Sequence, residues 1–431
     1  MDATFGGAGI ERRWAGAGAR RSTLVAGVLT AMLASTLFLT RFALGFGHSE
    51  LSLALVVVLI GMALLVVTGS VRLSPNRAIL FAIAVATLLA GLMLGPSVQP
   101  SYLSFFNLVL LYGAWMFVVP DDRQFGWAIK LTRRFLMIIA VCAIVQFFAQ
   151  VAIKAPFLFS WETVFPHSVI SRGFNYVIPA PGLGGMNKAN GFFLLEPSSL
   201  SQMMTLAIII ELEFFRPSWR IIVLAAALLL AFSGTGLVLF AAIVPLMLMN
   251  RGRGGILLVA GPALIVAAIF IAGPKLGVFI DRLQEFGSDQ SSGFARFLSP
   301  FYLFRDYLYP NPSGTLFGMG PGAIETYNTK TAYLIHDPTW GKLIFEYGFL
   351  GALPFAIFVG YCFFAGARSI WLAAALFIDY LLLGGNLVDA RLQILILVLV
   401  VLQNRPRDLI AKPVRTEEPG SRSWARTVPT V

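Results

Sequence analysis

The chain contains three histidines, and one of them opens the run His336-Asp-Pro-Thr-Trp-Gly-Lys-Leu-Ile-Phe-Glu-Tyr-Gly-Phe-Leu-Gly351. This histidine ends a long polar segment. An apolar helix follows, with Lys342 and Glu346 on its first turns and Gly348 and Gly351 beyond them. An imidazole changes protonation near neutral pH, so it can take a proton from a hydroxyl at a membrane surface or return one. Lys342 and Glu346 are four residues apart and share a helix face; they fit either a structural ion pair or a polar wall beside the histidine.

Two polar interruptions of apolar sequence carry further candidates. In Gly191-Phe-Phe-Leu-Leu-Glu-Pro-Ser-Ser-Leu-Ser-Gln202, proline suits the first turn of a helix and breaks an interior. A spanning helix is therefore expected to start at Pro197, with residues 191–195 along the interface before it. Glu196 then sits at the break, either as a cap or as a functional carboxylate at the hydrocarbon boundary. The second interruption is Ser233-Gly-Thr-Gly236. The apolar run before it, 221–232, spans only ~18 Å at ~1.5 Å per residue, short of a ~30 Å hydrocarbon core. Irregular backbone at that depth must be buried or line a cavity. It is either a tight turn between two helices or the floor of an outward-open cavity lined by Ser233 and Thr235.

The elements that position these residues follow from composition. Of 431 residues, 58% are hydrophobic and 12% charged; a soluble domain has about a quarter charged. This is an all-α polytopic membrane protein with about twelve transmembrane helices. The apolar stretches are 23–40, 51–69, 78–95, 102–119, 135–153, 197–214, 219–232, 236–249, 255–273, 342–364, 370–386 and 390–403. The first lacks a small-residue cleavage site, so no cleavable signal peptide is expected. Arg12, Arg13, Arg20 and Arg21 precede it, and Arg405, Arg407, Lys412, Arg415, Arg422 and Arg426 follow the last. Basic residues accumulate in cytoplasmic segments, which puts both termini inside and requires an even helix count. The organisation is a basic segment 1–22, one transmembrane domain 23–403 and a basic, disordered tail 404–431. The two long loops, about 154–190 and 274–341, fall outside. Cations in the second loop oppose the insertion bias, so something must hold them there.

Other classes are excluded by what the sequence lacks. Cys142 and Cys362 lie in apolar stretches and read as small buried hydrophobes. His48, His167 and His336 are too scattered for a zinc site, and no phosphate loop, kinase set or dinucleotide fingerprint occurs. The net charge of +11 reads as topology and contact with anionic membrane lipid, since no soluble basic domain exists for nucleic acid. A transporter is one rival; Gly69-Ser-Val-Arg-Leu-Ser lacks the Gly-x-x-x-Asp signature of the major facilitator pattern, and the long loops lie outside. A non-catalytic scaffold of a membrane assembly complex is another.

Residues 184–202, with Asn187, Asn190 and Glu196-Pro-Ser, resemble the first block of the O-antigen polymerase and ligase superfamily, the Wzy- and WaaL-like proteins. Phe232-Ser-Gly-Thr-Gly236 resembles that family's Ser-x-Gly turn, and Ser291-Ser-Gly-Phe-Ala-Arg296 its arginine-bearing outer-loop segment. Gly318-Met-Gly-Pro-Gly322, His336 and Glu346-Tyr-Gly-Phe-Leu-Gly351 resemble its closing block. Two departures stand out: Asp337 where asparagine is usual, and Gly234-Thr235 where many members carry an arginine.

The resemblance implies a metal- and nucleotide-independent, GT-C-like membrane glycosyltransferase without cofactor. Its donor would be a glycan on undecaprenyl diphosphate at the periplasmic face of a bacterial inner membrane, and its acceptor a hydroxyl of another lipid-linked repeat unit. A flippase and a chain-length regulator would be partners. His336 would be the general base. Arg296 first, then Arg172 and Arg282, would bind the diphosphate, because arginine takes phosphate bidentately without changing protonation. Glu196, Asn187, Ser233, Thr235, Lys342 and Glu346 would support the site. A ligase moving finished polymer to lipid A core is the alternative within the family. Asp379, deep in an apolar stretch, must be paired or face a cavity.

Overall fold

The computed structural model describes residues 7–46, 49–96, 100–153, 155–171, 174, 176–180, 183–252, 292–336, 338–385 and 387–405. The chain is a mostly helical membrane protein. Its first eight helices are α1 (Gly7–Phe38), α2 (Leu53–Val67), α3 (Pro75–Leu94), α4 (Tyr102–Gly113), α5 (Arg123–Ala152), α6 (Pro197–Phe214), α7 (Arg220–Leu230) and α8 (Gly234–Asn250). Four short helices follow among the described residues: α9 (Ser292–Phe297), α10 (Ser299–Leu303), α11 (Pro312–Phe317) and α12 (Ala323–Asn328). The last three are α13 (Thr339–Phe364), α14 (Ile370–Ile378) and α15 (Ala390–Leu399). Each expected apolar stretch overlaps a helix except 255–273, which lies outside the described residues. Among the described residues, Arg21–Phe38, α3, α5 and α13 are long and apolar enough to cross a membrane, and the other apolar helices are shorter.

The contacts at the two ends of α6 distinguish two ends of the bundle. The C-terminal end of α6 marks one. There Arg133 of α5 donates two hydrogen bonds to Glu211, at 2.7 and 2.9 Å. Arg251, just past α8, pairs with Glu213, and Ser369, ahead of α14, donates to Glu213 at 3.0 Å. The N-terminal end of α6 marks the other, where the C-terminus of α1 and the N-terminus of α15 meet it. Helix α6 is buried along both sides, from Leu200 to Leu212, because α5, α7, α8 and α14 surround it. A helix apolar all round is a core element.

The break at 233–236 falls differently from expectation. The turn is residues 231–233, with Phe232 at φ 44°, and Gly234 already begins α8. Gly236 belongs to the packing rather than to the turn: a Cβ there would lie 2.3 Å from the Ser201 carbonyl oxygen. Its amide donates to Ser201 Oγ at 3.1 Å, and Thr205 Oγ1 donates to its carbonyl at 2.8 Å.

The stretch 342–364 is not one continuous helix. Gly348 sits at φ 61°, ψ −178° inside α13, which frees carbonyls of the preceding turn. The amides of Met319 and Gly320 satisfy them, donating to Phe345 at 2.8 Å and Glu346 at 3.0 Å. The glycine-rich run 318–322 is thus the complement of the break: a Cβ on Gly318 would lie 2.3 Å from the Glu346 carbonyl oxygen.

Small antiparallel pairs supplement the helices. Strands β1 (Ala43–Phe46) and β2 (Ser49–Ser52) form a hairpin, and Val169 and Ser168 accept from the amides of Ala43 and Gly45 at 3.1 and 3.0 Å. The loop ahead of α6 therefore docks on a hairpin that periodicity in so short a connection does not reveal. Residues 303–335 form a small core of Leu303, Phe304, Leu308, Ile324 and Ile335 with Phe345 of α13.

Candidate active site

Helix α6 begins at Pro197, with Glu196 in extended conformation immediately before it. The Glu196 carboxylate does not cap the helix; it accepts from Ser198 Oγ at 3.0 Å. The turn that delivers it is anchored by Arg41, which is fully buried. Arg41 donates to the Leu194 carbonyl at 3.0 and 2.8 Å and to the Phe159 carbonyl at 2.7 Å. Its guanidinium lies 5.0 Å from the ring centres of both Trp161 and Tyr176. Burial lowers its pKa to about 10, against the opposing influence of Tyr176, so it stays cationic at neutral pH.

Arg296 is in the last turn of α9, and it is coupled electrostatically to Glu196 and to Asp379. Asp379 is 2% exposed and opens the π-helical turn Asp379–Leu383 that extends α14. Such turns recur at functional sites. Two carboxylates thus act on one arginine, Glu196 just ahead of α6 and Asp379 at the end of α14. Burial lowers the Arg296 pKa, and the two carboxylates oppose that shift. Its Nε is buried and has no hydrogen-bond partner among the described residues.

His336 joins Arg296 through the backbone. Its amide donates to the Ala295 carbonyl at 3.1 Å, and the neighbouring Ile335 is locked into the small core of the outer segment. Glu196, Arg296 and His336 line one cavity of about 280 Å³, walled by the end of α1, the start of α6, residues 383–385 and the start of α15.

Arg391 completes the lining, a residue that sequence reasoning passed over. It donates to Asp389 at 3.2 Å and to Ser171 Oγ at 2.8 Å, and its guanidinium lies 4.7 Å from the centre of the Phe174 ring. The signal was present: an arginine two residues after an acid at the start of an apolar stretch.

Other expected site residues lie elsewhere. Ser233 and Thr235 do not line the cavity. Thr235 Oγ1 hydrogen-bonds to Ser233 Oγ and to Ser201 Oγ, at 3.1 and 3.2 Å, so both hydroxyls serve the α6–α8 joint one layer beneath Ser198. Asn187 is fixed through its backbone, its amide donating to Gln150 at 2.7 Å and its carbonyl accepting from Gln150 at 3.1 Å. Lys342 and Glu346 form an ion pair of 3.7 Å inside α13, 5% and 0% exposed; neither lines the cavity. Arg172, Arg282 and Asp337 lie outside the described residues. Among the described residues, no cluster of three or more His, Cys, Asp or Glu is arranged to hold a metal ion.

Chemically, the cavity offers cations beside an imidazole at one end of a membrane bundle. That suits attack by a hydroxyl with departure of an anionic leaving group. A family model described as WcaD colanic acid polymerase matches residues 28–404. No curated protein matches the chain.

Proposed function

This chain belongs to the WcaD colanic acid polymerase family, and from that premise we propose that it joins oligosaccharide repeat units carried on undecaprenyl diphosphate at the periplasmic face of the bacterial inner membrane. The observation that carries the reading is the meeting of Arg296 and His336, from distant parts of the outer segment, in one cavity through the His336–Ala295 hydrogen bond. The polymerase description of the family favours this reading over a ligase.

In the reaction, His336 takes the proton of the acceptor hydroxyl as that oxygen attacks the anomeric carbon of the donor. The bond from that carbon to the phosphate oxygen breaks, and undecaprenyl diphosphate leaves with the electron pair. Arg296 meets the charge that develops on the departing phosphate, with no metal ion required. A double displacement needs a carboxylate placed to act as nucleophile. Among the described residues, the cavity carboxylates Glu196 and Asp389 accept hydrogen bonds from Ser198 and Arg391, which supports a single, inverting displacement. The lipid carrier reaches the cavity from the outer leaflet. Both termini are cytoplasmic, and a flippase and a chain-length regulator are the working partners.

The test is purified protein in liposomes with an undecaprenyl-diphosphate-linked oligosaccharide and excess EDTA. The expected product is a ladder on the lipid carrier. Transfer only to added lipid A core would establish a ligase, and loss of turnover in EDTA would overturn the metal-free mechanism.

A further inference from the structure

We propose that Arg391 is a second anion-binding residue of this cavity and shares the substrate diphosphate with Arg296. The inference rests on the polymerase reading and adds a residue to it. A diphosphate presents two phosphoryl groups, and one planar guanidinium fork binds one of them bidentately. Among the described residues, Arg296 alone would leave the other group without an arginine partner. Arg391 is the other guanidinium that lines the cavity among the described residues.

Its surroundings fix its direction without using up its donors. Asp389 accepts from the Arg391 amide at 2.9 Å, capping α15, and its second oxygen accepts from Nη1 at 3.2 Å. That is one long contact, not a bidentate pair. Ser171 takes Nη2 at 2.8 Å and the Phe174 ring covers the guanidinium. Nε is buried with no hydrogen-bond partner among the described residues. Thr36 Oγ1 donates to the Arg391 carbonyl at 2.5 Å, tying this wall to α1. The side chain is 14% exposed, and what remains open faces the cavity. Desolvation strengthens a charge-assisted bond to phosphate in such a place. A solvated surface pair would lack both the ring cover and the shared cavity.

The experiment measures undecaprenyl diphosphate binding and polymerisation kinetics for wild type and Arg391→Gln in detergent. The expected result is at least tenfold weaker binding, a KM raised more than kcat is lowered, partial rescue by Arg391→Lys, and an unchanged melting temperature without ligand. Binding by Arg391→Gln as tight as wild type overturns the inference. A wild type that neither binds nor polymerises overturns the polymerase reading instead. Phenylglyoxal modification of the wild type, mapped by mass spectrometry, needs no folded variant: undecaprenyl diphosphate should protect Arg391, and equal modification with and without it also overturns the inference.

Discussion

Arg296 is buried, and the carboxylates Glu196 and Asp379 oppose the effect of that burial on its charge. Removing a buried charge destabilises when an opposite charge is left behind without it. Arg296→Gln should therefore abolish polymerisation and lower stability, measured by denaturation in detergent. Arg296→Gln with Asp379→Asn should recover most of the stability and none of the activity. Recovery of activity in the double variant would show that Arg296 is only a counter-ion. At this scale residue type and family resemblance singled out His336 and Arg296, which line one cavity. It was silent on partners. Asp379 finds Arg296, Arg391 finds Ser171 and Arg41 finds Leu194 across long stretches of chain, and no local pattern encodes a contact of that range.

Glycine sets how the elements meet. At Gly348 the backbone is at φ 61° and a Cβ would lie 2.3 Å from the Leu316 carbonyl oxygen. A left-handed conformation alone costs a non-glycine residue about 1–2 kcal/mol. Gly348→Ala should lower stability by more than that, since the clash with the backbone adds to it, and should displace Glu346 and His336 with the helix start. Gly360 in the same helix meets nothing within 4 Å, so Gly360→Ala should be neutral or stabilising by up to ~1 kcal/mol. A thermal melt of the two variants side by side checks the contrast. At the opposite end of α6, Glu211 is 2% exposed and bonded to Arg133. Glu211→Gln should cost stability by about 3–5 kcal/mol while leaving kcat of the folded fraction unchanged. The helices themselves were legible because apolar length is a strong signal. The break in α13 was not, because the partner that makes it tolerable, residues 318–320, lies outside the helix.

Across the whole molecule, the cavity lies at the N-terminal end of α6 and the Arg133–Glu211 pair at its other end. Outward placement of the cavity end predicts a labelling pattern. A cysteine at the exposed Thr329 should react with a membrane-impermeant maleimide in intact cells, and one replacing Arg405 only after lysis. The reverse pattern would invert the proposed orientation. Charge bias supplied the orientation that this labelling tests, and the sum of short, individually ambiguous motifs pointed to the family. What composition could not supply was the cavity itself, since it exists only where α1, α6, α15 and the outer segment meet. The account's central claim is that His336 removes the acceptor proton in that cavity. The most direct test is chain elongation by purified His336→Ala on an undecaprenyl-diphosphate-linked acceptor, with carrier binding measured on the same preparation. General-base removal predicts elongation lowered about 10²–10⁴-fold with binding retained; elongation at the wild-type rate would contradict it.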